Sequence, residues 1–161
     1  GQSNLAALIG AKAGIAKVVR YDPAIPELAT LPTETVDLAV NVDVMEHIPD
    51  EEIDAVLASI AGISRHALFV IDTGVAKLWL SDGRNAHVSQ HDAAWWLARL
   101  RKAFPTIREM PIARRNRVAF KTWDGELGGL PGMAIKLRER AIYRTMKLTR
   151  SARRAVFGAR K

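Results

Sequence analysis

Hydrophobic and polar positions along this chain fall into short segments whose period switches between that of a helix and that of a strand. Ser3 suits an N-cap, and Leu5, Leu8 and Ile9, with Ile15 beyond them, follow at helical spacing. Lys17–Tyr21 (KVVRY) is rich in β-formers and stops at Asp22-Pro23, the pattern of a strand entering a turn. Ala24–Thr30 reads as a turn or short helix, and Val36–Val42 (VDLAVNV) as a buried strand broken by Asp43. Pro49-Asp50-Glu51-Glu52 opens a helix with acids in its first turn, where they favour the dipole, and Ile53, Val56, Leu57 and Ile60 give it one apolar face. Ala67–Ile71 (ALFVI) is a second buried strand, ending at Asp72-Thr73-Gly74.

Ser81–His91 is polar and turn-rich and carries two of the four histidines. A helix is expected over Asp92–Ala103, with the adjacent Trp95 and Trp96 about 100° apart, so that at most one points fully inward. Thr106–Ile112 and Arg117–Trp123 alternate like strands, joined by the polar turn Ala113–Asn116. Gly125–Gly132 reads as a glycine-rich hinge and Met133–Phe157 as a basic helix.

This alternation predicts an α/β fold: a mostly parallel sheet with helices on both faces and a closing antiparallel strand. The expected organisation is a domain over 1–124, a hinge over 125–132 and a basic helix and tail over 133–161. In such sheets ligands sit outside the carboxyl ends of the strands, which draws attention to Asp22, Asp43 and Asp72.

Composition narrows the class. A chain of 161 residues suits one compact domain, and 48% apolar with 25% charged residues excludes disorder for most of it. The absence of cysteine excludes disulfides, thiol nucleophiles and thiolate-ligated metal. No apolar run is long enough to span a bilayer and no signal-peptide pattern is present, so a cytoplasmic protein is expected. Gly1 stands where a methionine would, which reads as a fragment or processed product. The net charge of +7 is uneven: Gly1–Ala134 carries −2 and Ile135–Lys161 carries +9. Any attraction to nucleic acid or anionic membrane therefore rests on the tail. There Ile135, Ile142, Met146 and Thr149 fall near one face of a helix otherwise studded with Lys and Arg.

Two clusters carry candidate chemistry. The carboxylate of Asp22 could accept two adjacent ribose hydroxyls, or the residue could simply form an Asp-Pro turn. Asp43, Glu46 and His47 (VDVMEHIP) place two acids and an imidazole after a strand, able to orient a ligand or move a proton, or only to cap the next turn. One histidine and two carboxylates so tightly spaced make a poor metal set, and no metal is expected.

Val36–Pro49 resembles the fourth-strand motif of class I S-adenosylmethionine-dependent methyltransferases, in which a strand runs into a DVLEHI-type segment. Here Met45 takes the usual leucine position. Gly1–Leu8 (GQSNLAAL) is similar to the end of that family's glycine-rich loop and the helix after it, and Val18–Pro23 (VVRYDP) to its second strand with the ribose-binding acid. The matches come in family order and cover roughly Gly1 to Ile71. Asp82–His87 and Trp95-Trp96 also look like a DGRNAH-type loop before WW found in some sub-families. The family's first strand and first two loop glycines would precede Gly1, so the resemblance is to a member lacking them.

The resemblance implies a Rossmann-like fold and methyl transfer from S-adenosylmethionine to an O or N acceptor, such as a small molecule or glycan. Gly1 would be the surviving loop glycine, Asp22 and Pro23 would meet the ribose, and Val42 and Asp43 would flank the cofactor. His87, in the polar loop above the sheet, becomes the candidate general base, with His91 as a spare. The alternative class is a non-catalytic methyltransferase-like module that binds a partner, nucleic acid or anionic membrane through its basic tail. A dinucleotide-binding oxidoreductase shares the strand-tip acid but leaves the EHIPD segment unexplained.

Overall fold

The structure, a computed structural model, describes residues 5–11, 14–112 and 116–124 together with Leu137 and Ala141. The expectations for Gly1, Ser3, the hinge and most of the basic helix lie outside those residues. The chain divides into two compact units, 1–36 and 37–161.

In the first unit, a short helix α1 (Leu5–Gly10) is followed by irregular chain and a 3-10 turn over Pro26–Leu28, matching the expected opening helix and the turn after Pro23. Lys17–Tyr21, however, is not a strand. β-propensity alone does not make one: a strand needs a neighbour to take its backbone hydrogen bonds, and none of the described strands pairs with this segment. Val18, Val19 and Tyr21 remain exposed.

The second unit holds a four-stranded sheet in the order β1-β2-β4-β3, where β1 is Val36–Val42, β2 Ser64–Asp72, β3 Arg108–Met110 and β4 Arg117–Lys121. Asp37 meets Arg65 at the start of β1 and β2, and the Asp43 amide donates to the Val70 carbonyl (2.9 Å) at their far end, so these two strands run parallel. β4 is antiparallel to both β2 and β3. The sheet is therefore mixed rather than mostly parallel, with the closing antiparallel strand inserted between β2 and β3. β1 lies at the sheet edge, and its Leu38 and Val40 are exposed, not buried as the apolar run suggested.

Helix α2 (Asp50–Ile63) starts at Pro49, which supplies no side-chain cap; Asp50, Glu51 and Glu52 compensate at the positive end of the dipole. It ends where Ser64 turns extended and its hydroxyl donates to the Ile60 carbonyl (2.7 Å), so β2 begins without a loop. Helix α3 (Ala93–Ala103) is capped by Asp92, whose carboxylate accepts from the Trp95 amide at 2.8 Å. Trp96 is fully buried and Trp95 only partly, as the 100° offset requires.

The register pairs Phe69 with Phe120 and Ile71 with Val118, placing these four on one sheet face. Ile53 and Leu57 of α2 and Trp96 and Leu100 of α3 pack into the same core, so both helices cover that face. Among the described residues, α2 and α3 thus lie on the same face of the sheet. Asp54 on α2 joins the helices by accepting from Arg99 (3.0 Å) and Lys102 (2.8 Å) of α3. Hydrogen bonds from Lys102 and then Arg99 hold its carboxyl below the usual carboxylate range. Among the described residues no helix is long and apolar enough to cross a membrane.

Candidate functional site

Where β1 ends, the backbone turns sharply. Asp43 takes a left-handed φ of 54°, a region that a residue with a Cβ occupies at some strain, and a 3-10 turn over Met45–His47 follows. This turn separates neighbouring side chains. Met45 enters the core, Glu46 is wholly buried, and His47 faces outward.

The polar loop between β2 and α3 is fastened to this turn at several points. The Ser89 amide donates to the Glu46 carbonyl (3.1 Å), and the Ser89 hydroxyl lies 2.5 Å from both the Ile48 carbonyl and an Asp50 carboxylate oxygen. Buried Asn85 exchanges hydrogen bonds with the backbone of Ala76 and accepts from the His87 amide, folding the loop back on itself. The Nδ1 of His47 donates to the Ala86 carbonyl (2.7 Å), and that of His87 to the Gly74 carbonyl (2.6 Å). A carbonyl can only accept, so each Nδ1 carries the hydrogen and the neutral ring keeps its lone pair on Nε2. The two rings meet edge to face, their centroids 4.9 Å apart.

Glu46 lies beneath them. Its Oε1 accepts from the Asp72 amide (3.3 Å), while Oε2 is buried with no hydrogen-bond partner among the described residues. Burial pushes the carboxyl of Glu46 up, and neighbouring Asp43 adds to the effect; its hydrogen bonds oppose it only in part.

Arg117, the first residue of β4, is delivered to the same end by the antiparallel register, which sets it opposite Asp72. Its guanidinium lies 2.6 Å from Asp43 Oδ2 and 3.6 Å from Asp72 Oδ2. Asp43 and Asp72 thus reach the shared carboxyl end expected of them, already paired with a cation. Val42, the last residue of β1, is half-buried beside them.

Asp22 belongs to the first unit. There its carboxylate accepts from the Ala24 amide (3.1 Å) and its carbonyl from the Ile25 amide, the hydrogen bonds of an Asp-Pro turn through Pro23. His91 pairs with Asp50 (2.8 Å) and stacks on Trp95 at 3.6 Å, locking the loop to the start of α3. Burial of Asp50 would raise its carboxyl, but hydrogen bonds from Ser89 and His91 outweigh it and hold the group below its ordinary value.

An open cleft of about 480 Å³ lies alongside, lined among others by Asp50, Trp79, Arg84, Asn85 and His87. Trp79 is largely exposed at its rim. Sequence reasoning singled out Asp43, Glu46, His47 and His87 but missed Arg117, Ser89, Asn85 and Gly74. For Asn85 a signal existed, since an Asn two residues before a His can fold an Asx turn that aims the ring. A Cβ at Gly74 would stand 2.8 Å from the Asn116 side-chain amide, which would have to shift to admit it.

The reading that no metal is expected weighed Asp43, Glu46 and His47 alone. The structure brings His87 to Glu46 and His47, one ligand-capable atom from each lying within 4.8 Å of the others. Comparison with known proteins yields no relative: no family model matches the chain, and no curated protein and no solved structure matches it.

Proposed function

We propose that the chain is methyltransferase-like and moves a methyl group from S-adenosylmethionine to an O or N acceptor held in the cleft beside His87. The observation that carries the reading is that the loop bearing His87 packs its ring against His47 of the turn after β1 and lines an open cleft. The sequence resemblance to class I methyltransferases at Val36–Pro49 supplies the choice of cofactor. A Rossmann-like arrangement is part of the same proposal.

In this reaction the acceptor's lone pair forms a bond to the methyl carbon as the carbon–sulfur bond breaks. The bonding pair returns to sulfur, converting the sulfonium to the neutral thioether S-adenosylhomocysteine, and the acceptor gives up a proton. The Nε2 lone pair of His87 can take that proton, because the Gly74 carbonyl holds Nδ1–H and fixes the ring. Alignment supplies most of the rate in such a displacement, which explains how a site with few polar groups could suffice. The exposed face of Trp79 beside Arg84 suits a flat or ring-bearing acceptor, including a sugar.

The test is calorimetric titration with S-adenosylhomocysteine, followed by transfer of a labelled methyl group to candidate acceptors. Saturable binding with one site per chain supports the reading. No binding by the folded protein ends it.

A second reading follows from the charge distribution: +9 in 27 C-terminal residues against −2 in the rest. A tail so basic would bind nucleic acid or anionic membrane electrostatically, and that binding would weaken as salt rises. Association that is unchanged by salt, or absent at low salt, removes it.

A further inference from the structure

We propose that Glu46, His47 and His87 form a binding site for one divalent first-row transition-metal ion, of the zinc, cobalt(II) or iron(II) type. Three observations converge on it. The first is proximity: residues from two separate loops bring one ligand-capable atom each to within 4.8 Å of one another. Around an ion bound at about 2.1 Å, tetrahedral ligands stand about 3.4 Å apart, so closing on a metal needs only small side-chain shifts.

The second observation is the way the rings are held. Both imidazoles donate Nδ1–H to a backbone carbonyl, at 2.7 Å to Ala86 and 2.6 Å to Gly74. This is the second-shell arrangement of metal-bound histidine, which fixes the ring, selects the tautomer and leaves Nε2 as the donor atom. Neither ring needs such anchoring merely to sit at a surface.

The third observation is an unmet electrostatic demand. Glu46 is fully buried, one oxygen is satisfied by the Asp72 amide, and the other meets no partner among the described residues. One nitrogen of each imidazole lies with a Glu46 carboxylate oxygen in the same cluster, within 4.8 Å. All three groups are acceptors, and a single shared proton could satisfy only one pairing. A cation satisfies all three at once. Two neutral imidazoles and one carboxylate leave a unit positive charge on a divalent ion and suit first-row transition metals, whereas magnesium and calcium prefer oxygen ligands.

Three protein ligands leave coordination positions open, and His87 lines the cleft through which a water or an acceptor would reach them. An acceptor hydroxyl on the ion would lose its proton at a lower pH than in water. This consequence rests on the methyl-transfer reading: in a metal-bound form His87 Nε2 would be a ligand, the ion would acidify the acceptor, and the released proton would pass to solvent water. Metal binding itself does not depend on that reading.

The test uses the full chain freed of metal with a chelator and then dialysed. Cobalt(II) is titrated while visible absorption is followed, and zinc(II) binding is measured by calorimetry. One equivalent should bind with the absorption bands of a low-coordinate cobalt site. His47→Ala, His87→Ala and Glu46→Gln should each weaken binding by more than the roughly 10–100-fold typical of second-shell changes. His66→Ala, at the exposed ring against Trp123, should not. If a variant fails to fold, ¹⁵N NMR of the wild-type imidazoles decides. Zinc should shift Nε2 of His47 and His87 and leave His91 unmoved. Binding that survives all three substitutions, or no stoichiometric binding to the folded wild type, overturns the proposal. S-adenosylhomocysteine binding without metal binding would sink the site alone, and the converse would sink only the methyl-transfer reading.

Discussion

Arg117 and Asp43 form a 2.6 Å ion pair across the carboxyl end of the sheet, although one residue begins β4 and the other directly follows β1. Asp72 approaches the same guanidinium, and all three side chains are largely shielded from water. Replacing Arg117 with Met should therefore leave two carboxylates facing one another with no cation, destabilising the fold by about 2 kcal/mol. Adding Asp43→Asn should recover part of that loss, read as a non-additive double-mutant cycle in urea unfolding. Full additivity would show that the pair contributes nothing beyond its separate members.

His87→Ala should lower methyl-transfer turnover by about 10²–10⁴-fold while leaving S-adenosylhomocysteine affinity unchanged. Single-turnover kinetics alongside calorimetry separates the two effects. Equal loss in both would place His87 in cofactor binding instead.

Asp50 gives a pH signature. Its carboxyl is held low in the folded protein despite burial, by hydrogen bonds from Ser89 and His91. A group whose folded value is depressed stabilises the fold above its unfolded value of about 3.9, and that contribution disappears as pH falls through the folded value. Asp50→Asn should thus cost about 1 kcal/mol at pH 7 and progressively less below pH ~4. Urea unfolding at the two extremes checks it: a gap of constant size would mean that charge is not involved.

Asp92→Ala should destabilise the protein by about 1 kcal/mol through loss of the α3 cap, and Asp92→Asn should restore most of it. Thermal unfolding of the two variants beside the wild type is sufficient.

The elements that were legible in the sequence are those whose pattern is complete within themselves. α2 shows its acids, its Pro49 start and the Ile53–Leu57 stripe; α3 shows its helical span and the inward turn of one of two adjacent tryptophans, while the Asp92 cap and the choice of Trp96 came from the structure. β2 read as a strand from its short apolar run ALFVI and β4 from its alternating sequence, although Ala119, Phe120 and Lys121 are all buried. Lys17–Tyr21 has equal β-propensity but pairs with no described strand, and partner strands are not written in a local window. Leu38 and Val40 failed for the same reason: apolar character does not say whether a strand is central or at the edge. In the site, Glu46, His47 and His87 were visible as residue types. Arg117 was invisible because its place comes from the antiparallel register.

That register also bears on the order in which the molecule assembles. The β3–β4 pairing and the packing of α2 on β2 join segments close in sequence and close inexpensive loops. Joining Asp43 to Arg117 is a long-range closure that reaches across β2. The carboxyl-end site should consequently be the last part to form on folding and the first to open under stress, so that function fails while most secondary structure is still intact.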